Sequence, residues 1–150
     1  MAETLGSLCD KFTIVKLKLY HSDDQVKLHS LQKQQQQLID EIDEFIADAI
    51  NGVIPISKLT FKSNKVFKGE LNEIQVTNCA IGIVFGKLAE TNCLLWHEQE
   101  KVYEFEKIPI NEKDKVIKQL AILNLERTRC IDAIDDFFVK LIERRASDNG

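Results

Sequence analysis

The sequence predicts an all-α protein, with four main helices forming a bundle in a single domain of residues 1–150. Apolar residues recur at helical spacing in four segments of the chain. The only two prolines, Pro55 and Pro109, lie between these segments. A length of 150 residues suits one domain with a sizeable core.

The first two helices each have one apolar stripe. Apolar residues at i, i+3 and i+7 spacing predict the first helix over residues 4–20. A heptad pattern predicts the second over residues 23–50. Ser22 begins a capping-box sequence and is the expected N-cap of the second helix. Asn51 and Gly52 are expected to end that helix in a left-handed conformation.

The third and fourth helices are the longest. Residues 53–70 follow neither the helix nor the strand period, so we predict a loop. An apolar heptad set predicts the third helix over residues 72–105. The fourth is predicted over residues 112–145, with Asn111 as its N-cap and 146–150 as a frayed tail. The two should pack antiparallel across the short turn between them.

Composition and charge argue against several classes of function. The net charge of -4 argues against nucleic-acid binding, which needs a basic domain or stripe. The longest apolar run falls far short of the roughly 20 residues that cross a bilayer, so no membrane span is expected. No apolar signal segment follows the start, which favours a cytoplasmic protein. The four cysteines lack C-x-x-C spacing and are expected to be reduced and buried rather than zinc ligands.

One charged residue interrupts the apolar stripe of the fourth helix. Within about 40° of Arg127 on the helical wheel lie Val116, Leu120, Leu123, Ile131, Ile134 and Phe138. A guanidinium that faces a core is costly unless a carboxylate meets it. We therefore expect an acidic partner from another helix, and Asp10, Glu98 and Glu100 are the candidates.

Other polar residues flank the same stripes. Asp10 and His21 share one face of the first helix but lie roughly 16 Å apart along its axis. They cannot contact each other, so each is expected to contact a residue of another helix. On the fourth helix Asp135 points inward, whereas Asp132 and Asp136 point outward. The candidate polar cluster comprises Asp10, Asn92, Trp96, His97, Glu98, Glu100, Asn124, Arg127 and Asp135. This cluster is either a structural network that fixes helix register or an anion or metal site.

The third helix also has a stripe of small residues opposite its apolar stripe. It comprises Cys79, Gly82, Gly86, Ala89 and Cys93, and it continues to His97 and Glu100. Each glycine inside a helix costs about 1 kcal/mol relative to alanine, so a compensating contact is expected. That contact is either close helix packing or a groove that ends at the ionisable pair.

The motifs expected of an enzyme are incomplete. Dinuclear metal sites in helical bundles use paired Glu-x-x-His segments, whereas His97 and Glu100 occur once and in the reverse order. No cofactor is therefore predicted from these motifs, and His97 and Glu100 are candidate ligands if a metal binds here. Neither a glycine-rich phosphate loop nor a nucleophile elbow is visible.

Two stretches resemble known bacterial families. Residues 4–18 resemble the opening T-x-G-x-L-x-D-K-x-x-I…L-K of uncharacterised bacterial proteins, which are often found near sugar and surface-polysaccharide genes. Residues 92–100, with 123–127 and 131–135, resemble bacterial helical domains of unknown function that carry N-x-L-L-W-H-x-E-D and L-N-x-x-R-x-x-x-I-x-x-I-D segments. After the histidine, where those domains favour Glu-Asp, this chain has Glu98-Gln99-Glu100. The resemblance implies a helical fold and no established activity.

Two functions follow as hypotheses. In the first, the chain is a non-catalytic binding or accessory protein that docks a protein partner or a second copy, and Arg127 holds a small anion. In the alternative, it is a metal-dependent hydrolase of a phosphate ester or nucleotide. The alternative requires a divalent ion on Glu98, Glu100 and Asp135, with His97 as acid or base and Arg127 on the phosphate.

Overall fold

A computed structural model describes residues 3–61 and 81–148 of the chain. This part contains four α-helices and no strand, which confirms the all-α prediction. The helices are α1 (Leu5–His21), α2 (Gln25–Ile50), α3 (Ile81–Tyr103) and α4 (Ile110–Asp148). Two short 3-10 turns lie at Ile56–Lys58 and Phe105–Lys107.

Side chains cap the first two helices. Thr4 and Ser7 form a reciprocal capping box at the start of α1, each side chain accepting a hydrogen bond from the backbone N–H of the other. The expected cap of α2 by Ser22 is wrong, because Ser22 is the extended residue that ends α1. Asp24 caps α2 instead, and its carboxylate accepts two backbone N–H groups of the first turn. An anionic group also suits the positive end of the helix better than a hydroxyl.

Of the two residues expected to be left-handed after α2, only Gly52 is, because Asn51 has a φ of -83°. Gly52 has a φ of +75°, the left-handed conformation that favours glycine. The predicted loop is described for residues 53–61, where the 3-10 turn places Leu59 in the core with no exposed surface. The rest of that loop, and residues 72–80 of the predicted third helix, lie outside the described residues.

The boundaries of the last two helices differ from expectation. The third helix ends at Tyr103, and α4 begins at Ile110, directly after Pro109. Asn111 is therefore inside the first turn rather than at the N-cap, because the carbonyl of Pro109 already accepts the N–H of Glu112. Where the sequence predicts a frayed tail from residue 146, α4 continues to Asp148, since neither glycine nor proline interrupts it.

Helix α1 is central to the packing. It contacts α2, α3 and α4, while α3 and α4 share the most extensive helix–helix contact. The main core joins these elements through Leu88, Cys130, Ile134 and Phe138, among others. A smaller cluster of Leu8, Val15 and Leu38, with their neighbours, fills the α1–α2 contact. Within the described ranges, no helix has the length and apolarity needed to span a membrane.

The small-residue stripe of α3 is not a packing surface in the described part of the chain. A Cβ atom added to Gly82 or Gly86 would meet no described atom within 4 Å. Both glycines are exposed, so the described residues provide neither the close packing nor the groove expected at these positions. Neighbouring helices cover a different face of α3, whose buried residues are Val84, Leu88, Thr91 and Asn92. Cys79 lies outside the described residues.

Candidate functional site

The acidic partner expected for Arg127 is Asp10. The Nε of Arg127 donates to Oδ1 of Asp10 at 2.8 Å, and its Nη2 donates to Oδ2, forming a two-pronged ion pair. Asp10 is only 5% exposed. The Arg127 side chain remains 36% exposed, so the guanidinium lies at the edge of the core rather than in its interior. The hydrogen bond to Asp10 raises the pKa of Arg127, and burial opposes this shift only in part.

A buried amide extends the ion pair to the third helix. The Nδ2 of Asn92, which has no exposed surface, donates to Oδ1 of Asp10 at 2.9 Å and to Oγ1 of Thr13 at 2.7 Å. The hydroxyl of Thr13 donates in turn to the backbone oxygen of Asp10. An ionised carboxylate only accepts hydrogen bonds, which fixes the orientation of the Asn92 amide. We call Asp10, Thr13, Asn92 and Arg127 the Asp10 network, and it joins α1, α3 and α4.

Asp135 holds the start of α1 against α4. It is 2% exposed, and its Oδ1 accepts the backbone N–H of Gly6 at 2.7 Å. A carboxylate is favourable there because the first N–H groups of a helix have no partner within it. Asp135 therefore points inward as predicted, although eight residues separate it from Arg127, about 12 Å along the helix.

The outward placement expected for Asp132 is wrong. Asp132 is 8% exposed, whereas Asp136 is intermediate. Ala133 and Ile134 beside it belong to the main core, and residues 130–139 are all buried or half-buried, so little of the circumference of α4 remains in water here.

A second group of predicted residues lies near the end of α3. The ring of His21 stacks on Trp96 with centroids 4.9 Å apart and planes 8° from parallel, so His21 meets another helix as expected. The indole Nε1 of Trp96 donates to Oε1 of Glu100 at 2.9 Å. His97 lies 3.9 Å from Oε2 of Glu100 and 3.9 Å from the Sγ of Cys93. These side chains lie around the C-terminal part of α3 and outside the core.

Glu98, Glu100 and Asn124 also do not join Arg127. Glu98 accepts a hydrogen bond from Lys101 on its own helix, and Glu100 from Trp96. Asn124 is exposed, and its Nδ2 donates to the backbone oxygen of Leu120. Three residues on a helix turn through about 300°, which places Asn124 outside the face that α1 covers.

The proposed metal ligands are too far apart to share an ion. Glu98 lines the same surface as Val116 and Gln119 of α4. Asp135 is 16 residues beyond Gln119, about 24 Å along the helix. Residues 3–61 and 81–148 contain no group of three histidine, cysteine, aspartate or glutamate side chains that could hold a metal. His97 and Glu100 therefore lack a third ligand from the described residues.

The two buried thiols should resist modification. Burial raises the pKa of Cys9 to about 12, reinforced by Asp135 and Asp10. Burial raises that of Cys130 to about 11, reinforced by Glu126. We expect a thiolate-selective reagent at neutral pH to label Cys93, which is partly exposed, well before Cys9 or Cys130. Peptide mapping by mass spectrometry, with guanidinium-unfolded protein as the control, measures this order, and equal native labelling of Cys9 and Cys93 would contradict it.

Two residues in these contacts, Thr13 and Gly6, are not among those predicted from the sequence. Thr13 lies three residues after Asp10 on the same helical face, a spacing that could have identified it. No sequence pattern identifies Gly6, because its role depends on how closely α4 packs against α1.

Comparisons with models of protein families, with curated proteins and with solved structures found no match to this chain. The resemblance to bacterial helical families therefore stays a prediction.

Proposed function

We propose that the chain is a non-catalytic binding or accessory protein whose Asp10 network fixes the packing of three helices. One observation carries this proposal. The Asp10 carboxylate already accepts hydrogen bonds from two other helices, through Arg127 and Asn92. An anion bound at Arg127 would have to compete with this two-pronged contact, so we assign the network a structural role.

The network is suited to setting helix register. Sliding α1 by one turn, about 5.4 Å, would remove Asp10 from both Asn92 and Arg127. It would also leave a carboxylate buried without a counter-charge, which costs several kcal/mol. Apolar contacts tolerate such slides better because they have no fixed direction.

Exposed apolar side chains support an accessory role. Ile83 and Leu94 on α3, with Ile117 and Ile122 on α4, are large and exposed. We infer that a protein partner or a second copy covers some of these side chains on docking. The free thiols of Cys9, Cys93 and Cys130 are compatible with the reducing cytoplasm, where we expect the protein to act.

A turnover assay tests this proposal against the hydrolase alternative. The purified chain is incubated with Mg²⁺ or Mn²⁺ and a panel of nucleotides and phosphate esters, and released phosphate and pyrophosphate are measured. We expect no release beyond that of a His97→Ala variant, which should fold normally because that side chain is 56% exposed. Release that the wild type sustains and His97→Ala abolishes would contradict a non-catalytic function.

A further inference from the structure

A groove at one end of the bundle collects cationic and hydroxyl groups. It lies between the end of α1, the start of α2 and the later part of α3, and its volume is about 430 Å³. Its lining comprises Lys18, His21, Ser22, Lys27, Ser30, Leu31 and Trp96. This size is within the range of small-molecule sites. Among the described residues, this lining contains no carboxylate, in a chain whose net charge is -4.

The groove has two lysines, Lys18 and Lys27. Neither Lys18 nor Lys27 forms an ion pair with a described residue, although several lysines elsewhere do. Two carboxylates at this end of the bundle are already engaged. Asp24 accepts backbone N–H groups of α2, and Glu100 accepts the indole N–H of Trp96. Within the described residues, the groove therefore presents two lysine ammonium groups that are not engaged in an ion pair.

The remaining lining suits an organic group. Leu31 provides an apolar contact, and Trp96 an aromatic ring held in place by its stack on His21 and its hydrogen bond to Glu100. Ser22 and Ser30 add hydroxyl donors. Two ammonium groups match the charge of a phosphate monoester, about -1.5 to -2 at pH 7, better than the single charge of a carboxylate.

We propose that this groove binds a small phosphate monoester. The phosphate contacts Lys18 and Lys27, and the organic part contacts Leu31 and Trp96. The inference rests on the proposed function of a binding protein and gives that protein a ligand class.

Trp96 is the only tryptophan of the chain, so its fluorescence reports on this groove directly. The probes are adenosine monophosphate, adenosine and inorganic phosphate, titrated at constant ionic strength. We expect a saturable change with adenosine monophosphate, little change with adenosine, and weaker binding of inorganic phosphate. Lys18→Gln combined with Lys27→Gln should weaken binding of the nucleotide by at least about tenfold.

Lys33→Gln is the matched control, because Lys33 is an exposed lysine of α2 outside the groove. It should leave the titration unchanged, and unchanged thermal midpoints should verify that all variants fold. Equal responses to nucleotide and nucleoside, equal affinity for inorganic phosphate, an unaffected double variant, or no response to any probe would each overturn the proposal. Phosphate release from the bound nucleotide would contradict the non-catalytic function instead, and would leave the groove as the binding site.

Discussion

Replacing Arg127 with methionine should destabilise the protein by roughly 3 kcal/mol. The substitution leaves the Asp10 carboxylate, 5% exposed, without its cation in the centre of the bundle. We expect a value at the low end for a broken buried pair, because the Arg127 side chain is 36% exposed and was never fully desolvated. Chemical denaturation, comparing midpoints at unchanged slope, measures this loss.

Two further variants isolate the ion pair as the cause. Lys87→Met removes the cation of a more exposed pair between α3 and α4, with Glu126 as its partner, and should cost at most about 1 kcal/mol. Asp10→Asn combined with Arg127→Met should lower the free energy of unfolding by less than the sum of the two single changes. Each single change leaves the other residue charged and unpaired, whereas the double variant removes both charges. A loss for Arg127→Met no larger than that for Lys87→Met, or simple additivity of the pair, would exclude a coupled ion pair.

The ion pair was predictable in part from the sequence. Helical periodicity placed Arg127 within an apolar stripe and put Asp10 on a second face of α1, and the cost of a buried charge required that some acid meet it. Periodicity fixes the angular position of a side chain but not the axial register between helices. Glu98 and Glu100 were therefore equal candidates, and only the packing of α1 between α3 and α4 selects Asp10.

Other features also depend on how the helices pack, which the sequence pattern does not fix. Ser22 and Asp24 are both good N-caps two residues apart, and the path of the chain between α1 and α2 decides between them. The cost of Gly82 and Gly86 in a helix implied a compensating contact, yet neither has one among the described residues. The groove lined by Lys18, Lys27 and Trp96 could not be predicted from the sequence, because its lining comes from three helices that are separate in sequence.

Gly6→Ala should have the second large effect, lowering the free energy of unfolding by about 2–3 kcal/mol, because it overpacks a close contact between α1 and α4. A Cβ on Gly6 would lie 2.4 Å from the backbone oxygen of Ile131 and 2.9 Å from Oδ1 of Asp135. A backbone oxygen within a helix cannot rotate away, so α1 would have to move. That movement would also strain the hydrogen bond from the Gly6 N–H to Asp135, and denaturant titration measures the combined loss.

Gly86→Ala makes the same substitution where no described residue opposes it. No described atom lies within 4 Å of the added Cβ, and alanine is favoured over glycine inside a helix by about 1 kcal/mol. We therefore expect the two variants to change stability in opposite directions, with Gly86→Ala raising it by about 0.5–1 kcal/mol. If Gly6→Ala were also stabilising, the helix preference would outweigh packing at both sites. Direct contact between α1 and the backbone of α4 would then be excluded, together with the anchoring of α1 by Asp135.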